Sequence, residues 1–276
     1  MKTHRLAFAL LLSVMNPLGA QHYHLRNGTL LNADDVVVRG IQLVEEVESD
    51  GEGTAVERTY PISEVVRLDW PEPPELELAR EALSTGREGD VSGLLEPVRA
   101  TFVLFAKVPG SWWAPASLLR LRGLIDSGSP DGTEAAAREL IATAIDSEAV
   151  GLARLSLAEL EAGAGHGDIA AAMVKAILAE EVPPAVHARA WLLRGELALQ
   201  RGAAEEALEA FLRIPVLYGT RRDLLPPALD GSRRAYRLAG DSPRAERAAA
   251  DLERDFPHSR EASRLGSVAT PSSPSS

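Results

Sequence analysis

Residues 190–257 contain one pattern written twice, and this internal repeat restricts the chain to a small set of folds. When the second copy is moved back by 38 residues, small and bulky positions coincide, so that Gly202 falls on Gly240 and Ala207 falls on Ala245. Each copy has the periodicity of two short amphipathic helices. A repeat of this length built from helix pairs is typical of an α-solenoid, in which successive helical hairpins stack side by side.

The two copies resemble the tetratricopeptide repeat, whose pattern is W-x2-L-G-x2-Y, then A-x3-F, then P. The matching positions are Trp191, Gly195, Ala207 and Phe211 in the first copy and Tyr236, Ala245 and Pro257 in the second. Trp191 and Gly195 lie four residues apart, so a bulky and a small residue share one helix face and allow a neighbouring helix to approach closely. The resemblance implies a mainly α fold that binds a partner rather than catalyses a reaction.

Glycines near the expected turns set the register of the whole array. They are Gly89, Gly132, Gly167, Gly202 and Gly240, at steps of 43, 35, 35 and 38 residues. Glycine in the left-handed conformation closes one helix, and a following Asp or Thr caps the next. We therefore predict an α-solenoid of about five helical hairpins, at 75–106, 113–147, 149–182, 186–218 and 225–257.

The same register assigns two equivalent positions to the second helix of each hairpin. They lie five and nine residues after the predicted glycine, and their side chains are mostly small or apolar. The predicted pairs are Leu94 and Val98, Ala137 and Ile141, Ala172 and Ala176, Ala207 and Phe211, and Ala245 and Ala249.

The first 20 residues predict export. Lys2 and Arg5 precede a short apolar run at 6–15, and Ala20 offers a cleavage site for signal peptidase. The run is too short to span a bilayer comfortably, so no stable membrane anchor is expected after cleavage. The alternative is a buried N-terminal helix. We expect a periplasmic or secreted protein that begins at Gln21.

Residues 21–70 consist of short segments in which apolar and polar residues alternate, which is the pattern of β-strands. Asn27-Gly28 is the dipeptide most favoured in tight hairpins, and a further turn is expected at 50–53. Five or six such strands fit a small β barrel or curled sheet. The run RTYPISEVVRLDWPEP is similar to the final strands of SH3-like or Sm-like modules. A β-hairpin cap on the first helix of the solenoid is the alternative.

Proline and serine content sets the predicted borders of the solenoid. Three prolines between 71 and 74 end the strands and begin the helices, since proline is tolerated in a first helical turn but not inside a strand. The solenoid is therefore predicted at 71–260. The segment 261–276 ends in serine, proline and threonine with almost nothing to bury, and we predict a disordered tail there.

Charge and composition narrow the possible partners. The chain has 40 acidic and 29 basic residues, a net charge of −11, so the phosphates of a nucleic acid would be repelled. It has no cysteine, so disulfides contribute nothing. His22 and His24 would share a face of a strand, but no acid or cysteine has a helpful spacing for a shared metal. No catalytic residue, cofactor or metal site is predicted.

The resemblance also implies which residues face a partner, because the first helix of each tetratricopeptide pair lines the concave groove. By register these are Arg189, Leu192, Glu196 and Leu199 in the fourth hairpin and Asp230, Arg234 and Arg237 in the fifth. Arg234 and Arg237 lie one helical turn apart in an otherwise acidic chain, which favours a partner with an acidic segment or a free carboxylate. Alternatively, these arginines pair with nearby acids on solvent-exposed faces.

Two adjacent tryptophans are further candidates for a binding surface. Trp112 and Trp113 stand at the head of the second hairpin, and exposed aromatic side chains often anchor a protein partner. The alternative is that one packs in the core and the other between repeats.

These patterns predict a non-catalytic exported scaffold that binds a protein or peptide segment in its groove. The segment DFPHSREASRL is similar to the end of repeats in bacterial envelope proteins that assist cell division or outer-membrane assembly. That likeness implies a place in a cell-envelope assembly. A structural homo-oligomer whose solenoid packs on itself is the second possibility, and an enzyme with an unrecognised site is a remote one.

Overall fold

The computed structural model describes residues 21–48 and 55–268 of the 276-residue chain. The predicted signal peptide at 1–20, the predicted turn at 50–53 and the end of the predicted tail lie outside the described residues. The chain divides into two compact units. One takes the residues up to Pro73 together with Val108–Ser111, and the other takes Pro74–Lys107 and the residues from Trp112 onward.

Six short strands form the described part of the N-terminal unit, in agreement with the predicted five or six. They are β1 (His22–Leu25), β2 (Leu30–Asn32), β3 (Val36–Arg39), β4 (Gln42–Glu48), β5 (Ala55–Pro61) and β6 (Val65–Asp69). All pairings are antiparallel. They give two three-stranded sheets, in the orders β2-β1-β6 and β3-β4-β5.

The two sheets stay separate among the described strands, so the unit is not a closed barrel. A 3-10 turn at Ala33–Asp35 leads the chain from β2 into β3, and another at Ile62–Glu64 leads it from β5 into β6. Each of these turns moves the chain from one sheet to the other. The SH3-like or Sm-like identity of the unit stays a prediction.

The Asn27-Gly28 dipeptide forms the predicted hairpin between β1 and β2. Gly28 has a φ of 86°, which favours glycine, and the Thr29 N–H donates a hydrogen bond to Asn27 Oδ1 at 2.9 Å. In β1, which precedes this turn, the side chains alternate as predicted, with Tyr23 and Leu25 buried and the histidines on the other face half-buried.

The segment Val108–Ser111 belongs to the N-terminal unit, although it lies inside the solenoid predicted at 71–260. The Leu68 N–H donates a hydrogen bond to the Pro109 carbonyl at 2.8 Å. Gly110 has a φ of 83°, and a Cβ at this position would overlap the Leu68 carbonyl oxygen. The contact joins residues about forty positions apart, so local sequence patterns do not predict it.

The second unit contains eleven helices in the part of the chain that the structure describes, and the first ten form the five predicted hairpins. None of these helices is both long and apolar enough to cross a membrane. The helices are α1 (Pro74–Ser84), α2 (Glu88–Phe102), α3 (Trp113–Asp126), α4 (Pro130–Thr143), α5 (Ser147–Gly163), α6 (Gly167–Leu178), α7 (Pro184–Gln200), α8 (Ala204–Leu217), α9 (Leu225–Leu238), α10 (Ser242–Asp255) and α11 (Arg260–Val268).

The glycines that close the first helices differ from the predicted ones in three of the five hairpins. Positive φ angles between the paired helices occur at Gly86, Gly128, Gly165, Gly202 and Gly240, which we call the turn glycines. The other three predicted glycines lie in the first turns of α2, α4 and α6 instead. The steps between turn glycines are 42, 37, 37 and 38 residues, which is more regular than the predicted series.

The corrected register locates the buried residues of the second helices. In the first four hairpins, the residues five and nine positions after the turn glycine are buried, as Ala170 and Val174 are in α6. The predicted pair in α6, Ala172 and Ala176, is exposed, because the prediction started two residues too late. In the fourth hairpin the predicted glycine is the turn glycine, and the buried pair there is confirmed.

The Phe211 ring connects the fourth and fifth hairpins. It is fully buried and packs with Ala207 of its own helix and Ala235 of α9. A Cβ on Gly195 of α7 would lie 2.6 Å from the ring, and one on Gly231 of α9 would lie 2.5 Å from it. The predicted pairing of a bulky with a small residue thus takes the form of an aromatic ring held between two glycines.

Part of the predicted disordered tail is helical, which corrects the boundary at 261. Helix α11 packs against α9 and α10. The Ser259 Oγ accepts a hydrogen bond from the Ala262 N–H at 3.1 Å and so caps the helix. Ala262 is buried. The composition of this segment does not indicate a helix, because the helix is stabilised by packing onto the last hairpin.

Candidate functional site

The first helices of the hairpins form one side of the solenoid, which we call the first-helix face. From α1 through α3, α5, α7 and α9 to α11, each helix contacts the next in the series. Among the described residues, the second helices make no comparable contacts with one another. Closer spacing on one side bends a helical array towards that side. The first-helix face is therefore the concave side of the solenoid.

Five charged residues align across the first-helix face. Each lies six positions before the turn glycine of its hairpin, and therefore at the same height on its helix. The members, which we call the charge column, are Arg80, Arg122, Glu159, Glu196 and Arg234. The repeat thus brings charges from distant parts of the sequence onto neighbouring helices.

The last two members of the charge column neutralise each other. Arg234 Nη1 donates to Glu196 Oε2 at 3.0 Å, and Arg234 Nε donates to Asp230 Oδ2 at 3.0 Å. Burial alone would lower the pKa of Arg234, but the hydrogen bonds and charges of Glu196 and Asp230 raise it above its ordinary value. Arg234 is therefore part of an ion-pair network, as the alternative interpretation of the groove arginines predicted.

A cavity of about 760 Å³ lies beside this network. Its lining comes from α7, α9 and α11 and consists of Glu196, Asp230, Arg233, Arg234, Arg237, Arg264 and Leu265. Arg233 pairs with Asp230 at 2.6 Å. Arg237 is exposed and makes no ion pair with any described residue. With four arginines against two acids, the lining carries net positive charge in a chain whose net charge is −11.

Arg189 belongs to a different part of the first-helix face. Its guanidinium lies 3.7 Å from the carboxylate of Asp223. Burial lowers the pKa of Arg189, and repulsion from Arg122 lowers it further, while Asp223 and Glu159 act in the opposite direction. Arg189 is thus half-buried beside an acid, as the alternative interpretation of the arginines predicted.

Glu159 lies among these charges without a direct partner. Burial raises the pKa of its carboxyl group above the ordinary value, and the positive charges of Arg189 and Arg122 oppose that shift. By surface area the side chain is exposed. Both properties are compatible on a concave surface, where water reaches a side chain from one direction and protein surrounds it on the others. Within the described residues, Glu159 makes no hydrogen bond or ion pair.

The other predicted site residues contribute mainly to packing. Leu192 and Leu199 are half-buried and pack against the cluster around Phe211. Trp112 is half-buried. Trp113 is only 1% exposed, with the Arg99 guanidinium 5.8 Å from its ring centre, so the prediction of an exposed aromatic anchor is wrong for this residue. A tryptophan at the first position of a helix can turn into the core, and sequence alone does not distinguish the two outcomes.

Sequence reasoning missed two residues of this face. Glu159 would have appeared in the charge column if the turn glycine of the third hairpin had been identified as Gly165. Arg264 was assigned to the predicted tail, but it lines the cavity from α11. The described residues contain no group of three or more His, Cys, Asp or Glu side chains placed to hold a metal ion.

Comparison with known proteins shows the fold of the solenoid. No protein-family model and no curated protein matches the chain. A thermophilic TPR protein from Thermus thermophilus is similar in structure, with 16% identity, 71% of this chain and 97% of that chain covered, and a TM-score of 0.50. PilW, a type IV pilus biogenesis factor, matches at 15% identity, 70% and 96% coverage and a TM-score of 0.40. MamA matches at 13% identity, 72% and 98% coverage and a TM-score of 0.40. The first of these likenesses confirms a tetratricopeptide-like α-solenoid.

Proposed function

We propose that this chain is a non-catalytic scaffold that binds a segment of a partner protein on its concave first-helix face. The fold supports the proposal, because a solenoid of this kind buries its apolar side chains between hairpins and leaves an extended concave surface for a ligand. The charged residues of the first-helix face can position a polar chain by hydrogen bonds and charge, and they offer no evident nucleophile with an adjacent base.

The positive lining of the cavity beside α9 is the observation that carries the proposal. Glu196 and Asp230 neutralise Arg233 and Arg234, whereas Arg237 is exposed and makes no ion pair with a described residue. The surrounding surface of an acidic protein repels an acidic segment, so such a segment would be attracted to this cavity in preference to other places. The proposed partner therefore carries acidic side chains or a free carboxylate.

Replacing Arg237 by Glu is expected to weaken the binding of an acidic segment by about tenfold or more, because attraction becomes repulsion at an exposed site. Short fluorescent peptides with a pair of glutamates serve as probes, and fluorescence anisotropy measures their affinity. Affinity for the wild-type protein should fall as salt rises beyond about 0.15 M, where charges are screened within about 8 Å.

Arg222→Glu is the matched control for this experiment. Arg222 is also exposed and makes no ion pair with a described residue, but it does not line the cavity. The control should keep most of the affinity, since both variants change the net charge equally. Equal losses in the two variants would show a general charge effect and contradict a specific site at Arg237.

We also propose that the scaffold is exported and acts in the cell envelope. The charged start, the apolar run and Ala20 support export, and the likeness of the segment at 255–265 to repeats of bacterial envelope proteins supports the location. Protein recovered from an expressing cell should begin at Gln21. Mass spectrometry of the intact protein measures this directly, and a mature chain that retains Met1 would contradict export by signal cleavage.

A further inference from the structure

One wall of the cavity beside α9 comes from α11, the last helix that the structure describes. Glu196 of α7 and the charged residues of α9 form the other walls, and α11 adds Arg264 and Leu265. If α11 were detached, the same groups of α7 and α9 would form an open surface. The cavity therefore depends on the docking of this one helix.

Helix α11 is held less firmly than the other helices of the first-helix face. It has nine residues, and an isolated helix shorter than about 12–15 residues is marginal in water. The other first helices each bury between three and eight residues. Within 260–265, Ala262 is the one buried residue and Leu265 is half-buried. Local opening begins at elements with so little buried surface.

A short link joins α11 to the fifth hairpin. It consists of four residues, 256–259. The Ser259 N–H donates a hydrogen bond to the Phe256 carbonyl at 3.0 Å, whereas Pro257 is exposed and has no N–H to pair. A change of backbone angles within this link would move α11 as a unit and leave the helices α9 and α10 in place.

The charge of the cavity opposes the docking of α11. Four arginines and two acids line the cavity, and one of the arginines is brought by α11. It approaches a surface that already carries the exposed Arg237, which makes no ion pair with any described residue. Like charges repel more strongly in a cavity than on an open surface, because less water lies between them. The carboxylates of a bound acidic segment would offset this repulsion.

We propose that α11 is a lid and that an acidic segment binds tightly only when the lid is docked. The inference rests on the proposed function, because it describes how the same cavity is completed. Ligand and lid are then coupled in both directions. The ligand stabilises the docked helix, and detachment of the helix weakens the binding of the ligand.

Hydrogen exchange of the full chain measures this coupling. The probes are a peptide with a pair of glutamates and the same peptide with glutamines. A ligand that binds only the docked form suppresses opening by a factor of one plus the ratio of its concentration to Kd. At ten times Kd, the amides of α11 should therefore exchange about tenfold more slowly. The amides of α3 and α4 should exchange as before, and the glutamine peptide should change neither region.

Substitution of Ala262 tests whether docking is required for binding. Ala262→Lys places a charge in the buried contact and should detach α11, which hydrogen exchange verifies. The affinity for the glutamate peptide should fall about tenfold or more, because the binding-competent form becomes rare. Since the variant adds positive charge, repulsion cannot explain such a loss. The thermal midpoint of the hairpins should change little, because solenoid repeats contact only their neighbours.

Ser263→Lys is the matched control. Ser263 is exposed on the same helix and does not line the cavity, and the substitution makes the same change in net charge. The control should keep the affinity of the wild-type protein and the protection of α11 from exchange. A loss equal to that of Ala262→Lys would contradict the lid.

The outcomes separate the lid from the proposed function. Unchanged exchange of α11 when the glutamate peptide is bound to the wild-type protein would overturn the lid, whatever the variants show. Undiminished affinity in an Ala262→Lys protein whose α11 has lost protection would also overturn it, and higher affinity would mean that α11 obstructs the cavity. In each case, weaker binding by Arg237→Glu would leave the acidic-segment scaffold in place. If the glutamate peptide does not bind the wild-type protein, both proposals are wrong.

Discussion

The Ala207→Glu variant should unfold the fourth hairpin and lower the free energy of unfolding by about 3–5 kcal/mol, because it places an unpaired charge in the core. Ala207 is fully buried and packs with Ala198, Phe211 and Ala235. These side chains belong to three different helices, and none of them offers a cation or a hydrogen-bond donor. The charge cannot reach water without separating α8 from its neighbours.

Loss of helical circular dichroism and a lowered thermal midpoint measure this effect, and limited proteolysis with mass analysis locates it. Cleavage should begin in α7, α8 and α9, since solenoid repeats contact only their neighbours, and residues 21–48 should stay protected. Ala250→Glu is the matched control, because Ala250 is an exposed alanine on α10. An unchanged midpoint in Ala207→Glu would mean that the assignment of the buried face is wrong.

The hairpins were predictable because their signal is repeated. Small and apolar residues recur with helical spacing in each unit, and two clear copies at a 38-residue offset fixed the period. The turn glycines were less predictable, because each of the first three turns offers more than one glycine, such as Gly86 and Gly89. The sequence does not show which of them has a positive φ. In the fourth and fifth hairpins only one glycine lies near the turn, and there the prediction is confirmed.

The same ambiguity explains what was missed in the candidate site. With Gly167 as the turn glycine of the third hairpin, the repeat position of Glu196 falls on Glu161 instead of Glu159. The pairing of Glu196 with Arg234 was open to prediction, since the two residues are 38 positions apart and therefore equivalent in adjacent repeats. The fold of the repeat places equivalent residues on neighbouring helices. Of the two interpretations of Arg234, pairing with a nearby acid was thus the more favourable one.

The Gly231→Ala variant should lower the free energy of unfolding by about 1–3 kcal/mol, the usual cost of overpacking a core. The added Cβ would lie 2.5 Å from the Phe211 ring, a distance that real contacts do not reach. The ring cannot move away, because its other neighbour is the Gly195 backbone, where a Cβ would lie 2.6 Å from it. The backbones of α8 and α9 must therefore separate. Thermal and urea denaturation measure the change.

Gly93→Ala separates this steric effect from the general behaviour of helical glycines. Gly93 lies inside α2, and a Cβ there meets no atom within 4 Å. Alanine should stabilise that helix by up to about 1 kcal/mol, because it loses less conformational entropy than glycine. The two glycine substitutions should thus change stability in opposite directions. A gain in stability in both would contradict the close packing of Phe211 against α9.

A smaller residue at position 211 should remove part of the conflict. Phe211→Leu alone leaves a cavity and destabilises the protein. In that background, however, Gly231→Ala should cost less than it does beside the phenylalanine, since the new methyl group can occupy the vacated space. A double-mutant cycle measures this coupling, which for residues in contact amounts to about 0.5–3 kcal/mol. If the free-energy changes of the two substitutions are strictly additive, Gly231 is needed for a reason other than the Phe211 ring. The close approach of α8 and α9 would then require a different explanation.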